Sequence, residues 1–153
     1  MRAVISALLV LVAVGSDAGI EDTILHGVSV AGVRFHVLPD EVPGLTEADG
    51  TAMMKARLGA AGIPVTGGDG AILRVIASVF ADHSPTCNVN LEGQLVEEAN
   101  LLRNGLRVSA ESWRGGGTSI TTSHDLCAQE VRKAIDRAMD EFVDIYQAMN
   151  PQP

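Results

Sequence analysis

Two cysteines and two histidines form the sharpest chemical pattern in the chain. Cys87 comes four residues after His83, and Cys127 comes three residues after His124. Two thiolates and two imidazoles are a set of ligands that binds zinc tetrahedrally. The same two cysteines, the only ones in the chain, would pair as a disulfide in an oxidising compartment, which removes the thiolates. We favour the disulfide, with a zinc site as the alternative and no cofactor as the expectation.

A glycine-rich segment follows the only tryptophan. Trp113 is followed by Arg114, Gly115, Gly116 and Gly117. Glycine-rich segments before a helix can bind anions, but a phosphate loop places Lys and Ser or Thr directly before the helix. Here a longer polar stretch intervenes, which indicates a connecting loop. Because Trp is enriched at binding hot spots, these five residues are the predicted interaction segment. For Trp113 itself we favour the other interpretation, a ring packed in the core over the end of the helix.

The sequence contains no recognisable catalytic motif. Nucleophilic catalysis needs a Ser or Cys beside a base that a third group orients. Neither Gly-x-Ser-x-Gly nor His-Glu-x-x-His occurs, and the carboxylates near the C-terminus are spaced like the solvated side of a helix. We therefore favour a protein that is not an enzyme, with a small-molecule or zinc-binding exported enzyme or carrier as the alternative.

The charge of the chain restricts its partners. The formal net charge is -8 at pH 7, and Lys55 and Lys133 are the only lysines. A field of this sign repels phosphate backbones and anionic lipids, so nucleic acid is not an expected partner. The hydrophobic fraction is 46% but the aromatic fraction only 3%, which predicts an aliphatic core.

The N-terminus has the pattern of a secretory signal peptide. Arg2 precedes an apolar run from Ala3 to Val14, and the small residues Ser16 and Ala18 lie two apart after it. This order is typical of a signal peptide cleaved after Ala18, and the run is too short to span a membrane. We predict a signal peptide at 1–18, a single domain at 19–153, and a periplasmic or secreted location, with no membrane span after cleavage.

Hydrophobic periodicity supplies the elements that would position these residues. From Asp125 to Met149, apolar residues recur at helical spacing on one side only, which predicts a long half-buried helix. From Ala71 to Phe80, apolar residues occupy both faces, which predicts a central strand. The predicted fold is α+β or α/β, a mixed sheet of about five strands in the order β-α-β-β-β-β-α with two helices on one face. The remaining predicted strands lie near 28–37, 63–65, 89–95 and 106–113, the first helix begins at Thr46, and 114–123 is a loop.

The C-terminal residues carry a family resemblance. Phe142, Tyr146 and Asn150-Pro151, with a preceding strand that ends in Trp113, resemble the closing pattern of small uncharacterised exported bacterial α/β proteins. The element order is similar to the N-terminal domain of the Tol–Pal periplasmic propeller proteins. Neither resemblance implies a catalytic residue. The leading hypothesis is therefore an exported protein-interaction module whose partner is an envelope protein.

Overall fold

The computed structural model describes residues 25–39, 41–80 and 85–151. The predicted signal peptide and His83 therefore lie outside the described residues. A four-stranded sheet has the order β1-β2-β3-β4, with β1 and β2 parallel and the other neighbours antiparallel. The elements are β1 Val30–Pro39, α1 Glu47–Ala60, β2 Ala71–Phe80, β3 Thr86–Asn100, β4 Arg107–Ser123 and α2 Cys127–Met149, with a 3-10 turn at His124–Leu126. The mixed fold with two helices is confirmed, with four strands rather than five.

The missing strand is the short one predicted at 63–65. Pro64 has no N–H to give to a sheet ladder. Hydrogen bonding beside β1 begins only after this segment, where the Thr66 N–H donates to the Val30 carbonyl at 3.0 Å. The segment is therefore an irregular connection that leads into β2.

The loop predicted at 114–123 is wrong, because these residues form the second half of β4. The strand stays paired with β3 as far as Ser123, which lies opposite Thr86. Two register shifts in the β3–β4 ladder absorb the glycine-rich region, as bulges do when extra residues must be fitted into a strand. The alternating residues after the glycines, with Ile120 buried, are the strand signal that the glycines obscured.

Both helices pack on the same face of the sheet. Leu73, Val75 and Ala77 of β2 are buried beneath them. Arg57 of α1 forms an ion pair with Asp140 of α2, so the helices lie side by side. The apolar side of α2 is buried as its periodicity predicts, at Cys127, Val131, Ala134, Ile135, Ala138, Met139, Phe142 and Val143.

The closing Phe…Tyr…Asn pattern has a structural role. Phe142 is fully buried, and the Tyr146 hydroxyl donates to the Val28 carbonyl at 3.0 Å. The Asn150 side chain donates to the Leu25 carbonyl at 2.8 Å and accepts from the Gly27 N–H at 2.8 Å. The end of α2 therefore fixes the chain that leads into β1.

Two glycines of α1 are expected to respond to alanine with opposite signs. Gly50 faces the buried Phe35, and a Cβ would come within 2.9 Å of the Phe35 Cβ. Gly50→Ala should therefore lower the free energy of unfolding by about 1–3 kcal/mol. Gly59 has no atom within 4 Å of its would-be Cβ, so Gly59→Ala should raise it by about 0.5–1 kcal/mol, since Ala is the better helix former. Denaturant unfolding of both variants checks this, and a shift of the same sign in both would contradict the packing of α1.

Candidate interaction surface

The face of the sheet opposite the helices is not covered by any element that the structure describes. We call it the uncovered face. Side chains that alternate with the core point to it, so Ile72 and Ile76 of β2 are half-buried while Phe80 is 54% exposed. The register places on it Arg34, His36, Leu38, Ile72, Arg74, Ile76, Ser78, Phe80, Asn88, Asn90, Glu92, Gln94, Val96, Glu111, Arg114, Ser119 and Thr121.

A row of polar side chains crosses all four strands of this face. Arg34 is the register partner of Arg74, Arg74 that of Gln94, and Gln94 that of Arg114. Neighbouring strands are about 4.8 Å apart, so the Arg34 and Arg74 side chains extend from adjacent backbone positions on the same face of the sheet. This row brings together three of the 11 basic residues of an acidic chain.

Gln94 holds the centre of the row in place. It is only 5% exposed, and a buried amide needs hydrogen-bond partners. Its Oε1 accepts from Arg74 Nε at 2.8 Å, and its Nε2 donates to Glu92 Oε1 at 2.6 Å. The bond to Glu92 fixes which end of the amide faces Arg74, so the Arg74 guanidinium is held by a pre-oriented acceptor.

Arg114 is neutralised within the row, in contrast to Arg34. Its Nε and Nη2 donate to the two carboxylate oxygens of Glu111 at 2.8 and 2.9 Å, and its Nη1 lies 3.7 Å from Glu92. The hydrogen bond from Arg114 lowers the pKa of Glu111, and the same bond raises the pKa of Arg114. The Arg34 side chain forms no hydrogen bond or ion pair with another described residue.

One end of the uncovered face is apolar and exposed. Leu38 is 55% exposed and Phe80 is 54% exposed, where β1 and β2 end. Beside Phe80 lies a depression of about 440 Å³ whose border includes Ser78 and Asn90. The Asn90 side chain accepts from the Ser119 hydroxyl at 2.7 Å, so the polar side chains here are ordered by bonds to one another.

The five residues of the predicted interaction segment are separated by the sheet. Arg114 lies on the uncovered face, and Gly117 borders the depression beside Phe80. Trp113 points to the other face, is 9% exposed, and meets the Phe142 ring edge-on with centroids 5.2 Å apart. The interaction role of the segment stays a prediction, but its exposed part is Arg114 and Gly117.

Gly115 and Gly116 are explained by packing. A Cβ on Gly115 would overlap the Trp113 ring. Gly116 has a φ of +66°, and its Cβ would lie 2.5 Å from the Ala138 Cβ. Gly115 therefore leaves room for the Trp113 ring, and Gly116 lets α2 pack closely on β4. Composition alone does not distinguish glycines that packing requires from glycines that provide flexibility.

The two cysteines form the disulfide that the sequence predicts. Cys87 of β3 and Cys127 at the start of α2 have Cα atoms 5.9 Å apart. His124 is exposed in the turn before α2, where its backbone N–H donates to the Pro85 carbonyl at 3.3 Å. Sulfurs joined in a disulfide are not thiolate ligands. Within 25–39, 41–80 and 85–151, no three His, Cys, Asp or Glu side chains gather as a metal site.

The β1 edge of the sheet is capped by side chains of α1. The Phe35 N–H donates to Thr51 Oγ1 at 3.0 Å, and the Val37 N–H donates to Glu47 Oε1 at 2.9 Å. These bonds occupy backbone donors that would otherwise pair with another strand, which is one way in which proteins protect a sheet edge.

The β4 edge is far less protected. Among the described residues, the only side chain bonded to the β4 backbone is Glu141, which accepts from the Gly116 N–H at 3.0 Å. Residues 115–123 carry no charged side chain, although charges are a common protection of an edge strand. Among the residues that the structure describes, the β1 edge is therefore the better protected and the β4 edge the more open.

Comparison with known proteins gives a fold likeness and no family. No family model matches the sequence, and no curated protein matches it. The structure resembles one chain of the dodecamer of a PelC variant from Paraburkholderia phytofirmans, at 12% identity over 82% of this chain and 89% of that one, with a TM-score of 0.44. It also resembles an uncharacterised protein at 11% identity over 75% and 83%, with a TM-score of 0.36.

A third solved structure is a minor lipoprotein from Acinetobacter baumannii, at 18% identity over 81% of this chain and 97% of that one, with a TM-score of 0.35. At these identities and scores, the three likenesses do not identify a function. The likeness to the Tol–Pal propeller proteins stays a prediction.

Within the described ranges, neither helix is sufficiently long and apolar to cross a bilayer.

Proposed function

We propose that this chain is an exported cell-envelope protein that acts without catalysing a reaction, by binding another protein through the uncovered face of its sheet. The observation that carries the proposal is the character of that face. Antiparallel sheets often leave one face in water, where their outward side chains are polar. Here the outward side chains of β2 are apolar at Ile72, Ile76 and Phe80, which is typical of a surface that another protein covers.

The polar part of the face supports the same proposal. Arg is enriched and Lys depleted in protein interfaces, because a guanidinium binds planar acceptors in a fixed geometry. The uncovered face has Arg34, Arg74 and Arg114 in one row and no lysine. Gln94 and Glu92 hold Arg74 in position before any partner arrives, which reduces the entropy that binding must overcome.

Export is part of the proposal and is supported by one feature of the sequence and one of the structure. The N-terminal residues have the order of a signal peptide. Cys87 and Cys127 lie at disulfide distance, and disulfides persist mainly outside the cytosol. Intact mass of the protein recovered from the cell envelope tests this part, because cleavage after Ala18 and loss of two protons are both expected.

Crosslinking in living cells tests the surface. A photoreactive phenylalanine analogue at Phe80 replaces an exposed ring on the uncovered face and should yield a discrete adduct with another polypeptide. The same analogue at Asp136, exposed on the outer side of α2, is the matched control and should yield none. No adduct at Phe80, or equal adducts at both positions, would contradict the proposal.

A further inference from the structure

The placement of Arg34 beside Arg74 has an energetic cost that the described residues do not offset. The two are direct register partners on β1 and β2, and like charges directly opposite destabilise a sheet. The chain has 19 acidic residues against 11 basic ones, yet Arg34 has no acidic partner among those described. A local conflict of this kind is expected where a function requires it.

The surroundings of Arg74 favour an anion. Its Nε–H is held by Gln94 Oε1, so the guanidinium is fixed in direction. Ile72 and Ile76 precede and follow it on the same face of β2 and are half-buried. Apolar neighbours reduce the local dielectric constant once a ligand excludes water, which strengthens an interaction between opposite charges.

The charges in the row define the charge of the ligand. Arg114 is engaged by Glu111 and lies near Glu92, whose other oxygen accepts from Gln94. Three guanidinium groups and two carboxylates therefore leave one positive charge in excess, at Arg34 and Arg74. A carboxylate carries one negative charge, whereas a phosphate monoester carries about 1.5 to 2 at neutral pH.

The groups that border Arg34 on its other side do not change this balance. Lys55 and Glu47 of α1 line the depression next to Arg34, and their opposite charges cancel. His36 lies 3.7 Å from Glu47. The excess charge therefore stays on the uncovered face between β1 and β2.

We propose that the partner docks on the uncovered face through a single carboxylate, from an Asp or Glu side chain, which binds between Arg34 and Arg74. This inference rests on the proposed function, because it names the chemistry of the polypeptide that the face contacts. Each guanidinium can donate two parallel hydrogen bonds to a carboxylate. Ile72 and Ile76 would then contact apolar side chains that flank the acidic residue, so the recognised segment is an acidic residue between apolar ones.

A matched pair of peptides tests the charge requirement. The disulfide-bonded protein is titrated with acetyl-Leu-Glu-Leu-amide, or with acetyl-Leu-Gln-Leu-amide, while NMR follows the arginine Nε–H signals. The glutamate peptide should shift the signals of Arg34 and Arg74 more than that of Arg114, which Glu111 already binds. The glutamine peptide should bind at least about tenfold more weakly, because it loses charge-assisted hydrogen bonds. Equal affinity for the two peptides would overturn the proposal.

Variants separate binding from a merely structural role. Arg34→Gln should weaken binding of the glutamate peptide about tenfold while its thermal midpoint stays level or rises, because a like charge next to Arg74 is removed. Arg34→Lys should recover part of the affinity, since it restores the positive charge but not the planar guanidinium that donates two parallel hydrogen bonds. An unchanged affinity in Arg34→Gln would also overturn the proposal.

Two further probes distinguish other sources of an anion. Inorganic phosphate that shifts the Arg34 and Arg74 signals at the same concentration as the glutamate peptide would indicate a simple anion site and would overturn docking of a polypeptide. If vesicles of phosphatidylglycerol bind the protein and the glutamate peptide does not, docking of a polypeptide would be overturned and the face would instead bind a membrane surface. We expect neither result.

The Phe80 crosslink separates the two proposals. If the adduct persists at full yield in the Arg34→Gln/Arg74→Gln variant, the carboxylate inference fails and the interaction surface remains. If the protein with native arginines gives no adduct, the proposed function itself fails. Loss of the adduct only in the double variant supports both.

Discussion

The Trp113→Ala variant should lose about 3–5 kcal/mol of unfolding free energy, the cost of removing a large ring from a packed interior. Trp113 is 9% exposed and meets Phe142 edge-on. The indole packs directly against Gly93 and Gly115, where a Cβ would press against it. Neither glycine has a side chain that could fill the cavity left when the indole is removed. Urea unfolding measures the loss as a lower midpoint at unchanged slope.

A surface leucine provides the comparison for Trp113. Leu102 is fully exposed, so Leu102→Ala should change stability by no more than about 0.5 kcal/mol. A Trp113→Ala loss as small as that would contradict the core position, and would restore Trp113 as a candidate for direct contact with a partner. With the loss expected here, partner binding must be tested at Arg114 or Phe80 instead, where substitution leaves the core intact.

Removal of the disulfide should be comparably costly. Cys87 and Cys127 are 40 residues apart, and closing a loop of this length stabilises a protein by about 4 kcal/mol on the chain-entropy model. The Cys87→Ala/Cys127→Ala variant should lose about this much. Chemical denaturation of the oxidised protein and of the double variant measures the difference.

A reducing agent supplies the control for the disulfide. Dithiothreitol should lower the unfolding midpoint of the protein with native cysteines and leave that of the double variant in place. A midpoint that does not respond in either protein would mean that the thiols were never joined. The bridge ties β3 to the start of α2, so its reduction should first loosen the end of the sheet near Ser123.

Local periodicity was sufficient for the elements that pack in the usual way. The stripe of α2, the apolar residues on both faces of β2 and Thr46 at the start of the first helix are all local patterns, and each formed the element that it predicts. Thr46 is the N-cap of α1, where its hydroxyl accepts from the Asp49 N–H. The Thr46 hydroxyl also lowers the pKa of Asp49. The second half of β4 was missed because its glycines resemble a connector. Gly115 and Gly116 are required by the close approach of Trp113 and Ala138, which depends on tertiary packing and has no local signal.

The candidate surface could be predicted only in part for a similar reason. Arg114 was identified through its neighbours in sequence, but its row with Arg34, Arg74 and Gln94 exists only once three strand pairings are known. Gln94 fits the outward position of an alternating strand, yet it is 5% exposed. Residues so distant along the chain share a surface only because the strands pair in a particular register, and that register cannot be derived from one sequence alone.

The unequal edges of the sheet limit how copies of this protein can associate. The backbone donors of Phe35 and Val37 are taken by side chains of α1, so among the described strands β4 is the edge better suited to accept a strand from another copy. Two copies that pair through their β4 strands would each have used the sheet edge that is better suited to accept another strand. Growth by strand addition would then stop at a pair and could not continue into a fibril, although residues 115–123 by themselves have the uncharged composition that favours one.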